Sequence, residues 1–101
     1  MIVIKVRYTV HDAYVNTNKE MIQKFLTDFE KLDRTQFLYS IFQTEDSKTF
    51  IHVSQYNNKD IQHTLLNTPS FIHFQEQRDK NLISEPQIES LNFIGSSKDI
   101  L

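Results

Sequence analysis

Residues 49–71, "TFIHVSQYNNKDIQHTLLNTPSF", decide the fold. In the first eight, Phe50, His52, Ser54 and Tyr56 project one way and Ile51, Val53 and Gln55 the other. A period of two carried by β-branched and aromatic residues is a strand. The period then changes. Asn58 can cap a short helix carrying Ile61, Leu65 and Leu66. Thr68 followed by Pro69 reads as a fresh N-cap with proline at the first helical position, where its missing amide costs nothing. Pro69 therefore breaks and re-aims the helix, and Phe71, Phe74, Arg78 and Leu82 share one side of the second segment.

Upstream, residues 34–43, "RTQFLYSIFQ", are apolar on both faces, with Phe37, Tyr39 and Ile41 against Leu38 and Phe42. "TEDSK" then supplies polar turn residues, so the two strands form a hairpin. At the start of the chain Ile2, Ile4, Val6, Tyr8 and Val10 alternate with Lys5, Arg7 and Thr9, giving another strand. Thr17 followed by Glu20 fits a capping box. Beyond it Met21, Ile22, Phe25, Leu26, Phe29 and Leu32 recur at helical spacing, which predicts a helix over 18–33. Downstream, "SEPQIESLNFIGSS" predicts a closing strand after Pro86, with Ile88 and Ile94 on one face and Leu91 and Phe93 on the other. The order strand, helix, strand, strand, helix, strand is the ferredoxin-like split motif βαββαβ, an α+β fold with a four-stranded antiparallel sheet.

The chain has 101 residues, expected to form one domain over 1–95 with a short tail over 96–101. Eight Phe and four Tyr supply large apolar side chains to a thin core. The formal net charge is -2, with acids and bases interspersed, so no basic footprint for nucleic acid is expected. The absence of cysteine excludes disulfides, thiolate catalysis and Cys-based metal sites. One Gly leaves no room for a glycine-rich phosphate loop. Lys5 and Arg7 interrupt the first apolar run, so a signal peptide is not expected there, and no run approaches the ~20 residues of a membrane span. The expectation is a cytoplasmic domain with no membrane partner. Two helices cover one face of a four-stranded sheet, yet the strands are apolar on both. A bare apolar face is one that soluble monomers avoid. The expected cover is a second copy related by two-fold symmetry, a homodimer through the open sheet face.

These features together resemble the antibiotic biosynthesis monooxygenase (ABM) family, within the dimeric α+β barrel group. The resemblance is carried by the alternating first strand, by "MIQKFLTDFEKL", by "FIHVSQYNNKDIQHTLLNTPSF" and by "SEPQIESLNFIG". It implies a homodimer with a pocket between sheet and helices in each subunit. The activity it implies is cofactor-independent oxidation of an aromatic or quinol-type molecule, with no metal and no cofactor. The alternative is a non-catalytic dimeric module that binds or senses a small molecule. There are departures from the pattern. Relatives often carry Pro-Gly before the second strand, where this chain has "KLDRTQF", and Trp at the end of the third, where it has Tyr56. Haem-degrading relatives place a histidine ligand near Gln75 and a tryptophan near Leu65, so haem chemistry is not expected.

His52 is the candidate of greatest interest. If its face looks towards the helices, His52 and Tyr56 line the pocket, and an imidazole beside a phenol can serve as general base or orienter. The structural alternative is a hydrogen-bonded histidine on the dimer face. Tyr39, Tyr8, Phe74 and Arg78 are the expected substrate contacts, although buried tyrosines are ordinary core residues and an arginine can snorkel. His73 lands opposite Phe71 and His63 lies off its helix's apolar face, so both are expected in solvent.

Overall fold

The sheet is built around the stretch quoted first. The computed structural model describes all 101 residues, and residues Thr49–Tyr56 form a strand. The elements, in chain order, are β1 (Ile2–Thr9), a 3-10 turn (Asp12–Tyr14), α1 (Val15–Phe29), β2 (Phe37–Gln43), β3 (Thr49–Tyr56), α2 (Lys59–Leu66), α3 (Pro69–Asp79) and β4 (Gln87–Leu91). The sheet order is β2-β3-β1-β4, and every neighbouring pair is antiparallel. This is the ferredoxin-like arrangement expected, with β1 and β3 in the centre and β2 and β4 at the edges.

Register decides what faces the helices. Val6 pairs with His52 and Tyr8 with Phe50, while Tyr39 pairs with Ser54 and Ile41 with His52. One face therefore presents Tyr8, Phe50, His52, Ser54 and Tyr56, all buried. Above them lies an aromatic cluster centred on Phe25, which is fully buried. Its ring centroid is 5.0 Å from Phe74, 5.1 Å from Phe71, 5.1 Å from Phe29 and 5.6 Å from Tyr39. Edge-on and tilted contacts at such separations add to the stabilisation from burial. The other face carries Leu38 and Phe42 from β2 beside Ile51 and Val53 from β3, and Phe42 is 58% exposed.

The local signals held where side chains satisfy backbone. Asn58 caps α2 by accepting the Ile61 amide at 3.0 Å. Thr68 is the N-cap of α3 with Pro69 in its first turn, although the Thr68 hydroxyl makes no capping bond. Between β2 and β3 the Asp46 carboxylate accepts from the Lys48 and Thr49 amides and from the Thr44 and Thr49 hydroxyls. That turn holds Ser47 in the left-handed region, at φ 65°.

Three boundaries differ from the sequence expectation. α1 starts at Val15, so Thr17 lies inside its first turn and makes no capping bond. The 3-10 turn before it replaces the box, with the Tyr14 amide donating to the His11 carbonyl at 2.9 Å. α1 also ends at Phe29, not at 33, because Glu30, Lys31 and Leu32 make tighter bonds to carbonyls three residues back. β4 ends at Leu91. There it lies opposite Val3 of β1, and beyond it Ile94 is 95% exposed.

Truncating the centre of the aromatic cluster should cost far more than removing a cap. Phe25→Ala is expected to lose about 3–5 kcal/mol in urea unfolding, and Asn58→Ala about 1 kcal/mol. Equal losses would mean that Phe25 is not the keystone of the core.

Candidate functional site

The direction of β3 turns His52 towards the helices, where it is 2% exposed. Its ring is packed by Phe74, stacked at 5.5 Å, and by Phe25 at 6.3 Å. Both nitrogens are partnered. The Tyr8 hydroxyl lies 2.8 Å from Nε2 and the Tyr39 hydroxyl 2.8 Å from Nδ1. Tyr8 in turn receives a bond from the Asn18 carboxamide, Nδ2 to hydroxyl 2.9 Å. The result is a continuous row, Asn18–Tyr8–His52–Tyr39, crossing from α1 over β1 and β3 to β2.

Tyr39 keeps part of its ring outside the core, and beside it opens a cavity of about 230 Å3. That is below the roughly 300–1,000 Å3 of sites for drug-sized ligands. Its polar lining is Tyr39, His52, Ser54, Tyr56, Gln62, Gln75 and Arg78, and its apolar wall is Ile4, Val6, Leu66, Phe71 and Ile88. Of the residues singled out from the sequence, Tyr39, His52, Tyr56 and Arg78 meet at this cavity. Tyr8 and Phe74 instead pack behind the imidazole. A larger depression of about 650 Å3 lies at the end of α1. Apart from Tyr39, its polar lining of Glu30, Arg34 and Thr35 is solvent-exposed, so it lacks convergent buried chemistry.

Arg78 does not snorkel away. It is 9% exposed, and its guanidinium carbon sits 5.2 Å from the Tyr8 ring centre and 5.4 Å from that of Phe74. Its Nη2 pairs with the Asp79 carboxylate at 3.0 Å, and that acid is largely solvent-exposed. A desolvated cation on aromatic faces is well held and still able to attract an anion.

Electrostatics follow from burial. Burial, and then the Arg78 charge, pushes the His52 imidazole down to about 3, so the ring is neutral at ordinary pH. Burial likewise raises the phenols of Tyr8, Tyr39 and Tyr56 above their usual value. The site thus holds neutral donors and acceptors around one fixed positive charge. His63, His73 and His11 are exposed, as expected for the first two. No group of three or more His, Asp or Glu side chains is arranged to hold a metal ion, and no helix is long and apolar enough to cross a membrane.

Asn18, Gln62 and Gln75 are site residues that sequence reasoning passed over. Asn18 had a signal, since it stands four residues before Ile22 and seven before Phe25, on the apolar stripe itself, yet is fully buried.

This framework recurs in solved structures. A crystal structure of an antibiotic biosynthesis monooxygenase superposes with a TM-score of 0.79 at 7% identity, covering 94% of this chain and 100% of that one. The chain has the ABM fold. A Bacteroides thetaiotaomicron protein provisionally given the same name matches with a TM-score of 0.83 at 8% identity, over 99% of this chain and 95% of that one. Rv0793 from Mycobacterium tuberculosis matches with a TM-score of 0.78 at 9% identity, over 96% and 98%. No family sequence model matches the chain, and no curated protein matches it. At such identities what is shared with these ABM-fold structures is backbone architecture, and function has to be argued from the site.

Because the unfolded imidazole has the ordinary value of 6.5 and the folded one about 3, the unfolded chain binds this proton more readily. The His52 contribution to stability is therefore fully present above about pH 6.5 and is lost as pH falls towards 3. Its expected size is about 5 kcal/mol. His52 ring resonances should not move between about pH 5 and 8. A midpoint near neutrality would contradict the buried, doubly partnered ring.

Proposed function

We propose that this chain is an ABM-type small monooxygenase that oxidises a phenolic or quinol-type aromatic molecule in the cavity beneath α2 and α3. The observation that carries this reading is the convergence of two tyrosines, a neutral imidazole and a desolvated guanidinium on one small cavity. Phenols and quinols reduce dioxygen readily only as anions. Arg78 is placed to favour the anion over the neutral phenol. Tyr39, oriented by His52, and Tyr56 address the substrate oxygens, and Phe71 and Ile4 face its ring.

The chemistry then balances without a further reductant. The phenol loses its O–H proton to solvent at the cavity mouth. The anion passes one electron to dioxygen, and the resulting radical and superoxide join in a new C–O bond. Proton uptake gives a hydroperoxide at that carbon. Loss of its C–H proton with cleavage of the O–O bond leaves a quinone carbonyl and water. One oxygen atom enters the substrate, the other leaves as water, and the substrate supplies all four electrons. His52 acts in this scheme as an orienting group, because a ring that stays neutral when buried is a weak proton sink.

A second reading, binding or sensing without turnover, is favoured by one observation: both ring nitrogens of His52 are already partnered inside the protein. In either case we propose a homodimer through the open sheet face. This is supported by Phe42 at 58% and Leu38 at 38% exposure beside Ile51 and Val53.

Oxygen uptake with a panel of small quinols should exceed buffer autoxidation, and Tyr39→Phe and His52→Ala should each lower it by about ten- to a hundredfold. Tight quinol binding without uptake would instead select the sensing module. For the assembly, light scattering at micromolar concentration should return twice the chain mass, and Phe42→Lys should return single chains. A wild-type monomer would remove the two-subunit architecture.

A further inference from the structure

One buried atom stands without a partner at the inner end of the site: Oδ1 of Asn18, on a side chain with no exposed surface. Its Nδ2 donates to the Tyr8 oxygen at 2.9 Å. This fixes the direction of every bond beyond it. With its oxygen accepting from Asn18, Tyr8 directs its own O–H at Nε2 of His52, 2.8 Å away. A neutral imidazole has one donor and one acceptor. Nε2 being the acceptor, the ring proton sits on Nδ1 and donates to the Tyr39 oxygen at 2.8 Å. The Tyr39 O–H is then free to donate into the cavity.

Turning the Asn18 carboxamide over reverses the row. Oδ1 then accepts the Tyr8 O–H, Nε2 donates to the Tyr8 oxygen, Tyr39 donates to Nδ1, and the Tyr39 oxygen becomes an acceptor for the ligand. The two arrangements differ in what they leave unpaired. The first leaves the carbonyl oxygen and one N–H of the amide unpaired, and the second leaves both N–H groups unpaired. The first arrangement, with Nδ2 on the Tyr8 oxygen, is the one the structure holds and is the resting one, and a ligand that donates strongly to Tyr39 favours the second.

We propose that Asn18 is a positioning residue: through Tyr8 and His52 its carboxamide sets whether Tyr39 presents a hydrogen-bond donor or an acceptor to the molecule in the cavity. The inference deepens the function proposed above. It specifies a resting site that offers Tyr39 as a donor, suited to an oxyanion or carbonyl oxygen of an aromatic substrate. The reversed site accepts a phenolic O–H. No net charge is placed on the buried imidazole in either state.

The test reads the His52 tautomer in intact, 15N-labelled protein by two-bond 1H–15N correlations, independently of any activity. Wild type is expected to carry the proton on Nδ1. In Asn18→Asp, once the carboxylate is shown ionised by its 13C shift, the acceptor-only group must take the Tyr8 O–H, and the ring proton is expected to move to Nε2. Tyr8→Phe provides a second variant that keeps the core filled, and there both tautomers should be populated. A wild-type proton on Nε2 overturns the proposal. So does an unchanged tautomer in Asn18→Asp, or a single Nδ1–H form in Tyr8→Phe. With a quinol that turns over, Asn18→Asp should lower kcat by at least about tenfold with KM nearly unchanged. An absence of turnover in wild type bears on the oxygenase reading alone, since the tautomer measurements stand without it.

Discussion

A neutral imidazole sealed under aromatic rings is tolerable only if both nitrogens find partners, because an unmatched buried polar group costs free energy that the packing around it cannot recover. In this chain the partners come from two different strands and are steadied from a helix. Tyr8 of β1 and Tyr39 of β2 both bond a ring carried by β3, and Asn18 of α1 donates to Tyr8. That requirement ties the register of three strands to the docking of α1. A slip of one residue would send His52 to the open face and leave Tyr8 and Asn18 unpaired. The polar row therefore acts as a lock on the fold as well as an arrangement for chemistry.

Much of this was readable in the residues. The alternation of residues 49–56, the Asn58 cap and the Thr68–Pro69 break correspond to β3, α2 and α3, because in each case the signal is local. The way His52 faces was not readable. Phe50 and Tyr56 on one side and Ile51 and Val53 on the other make the two faces almost equally apolar, and the choice is settled only when Phe25 of α1 lands on one of them. Asn18 was hidden for a related reason. A plausible capping box at Thr17 and Glu20 makes Asn18 the first residue of the expected helix, so a polar residue on the buried stripe reads as part of a terminus. The overlong β4 followed from Phe93 and Ile94 continuing the alternation, whereas pairing with β1 ends at Leu91 opposite Val3.

In this chain a cavity lies between sheet and helices. Its fixed positive charge comes from Arg78, which lies over two rings that also pack against the imidazole. Charge, ring stacking and hydrogen bonding are therefore coupled within a few side chains, and a substitution at one of them will be felt by the others. Gln62 and Gln75 add neutral amides at the rim, which can pair with either a donor or an acceptor on a ligand.

One consequence concerns how the molecule can be observed. The chain has no tryptophan and four tyrosines, so its ultraviolet emission is phenolic. Two of those phenols rest on the same imidazole, a contact through which an excited phenol can shed its proton and go dark. The native state is thus expected to carry its own optical reporter in Tyr8, dimmed against Nε2 of His52 behind the cavity wall and free to brighten when that contact is broken.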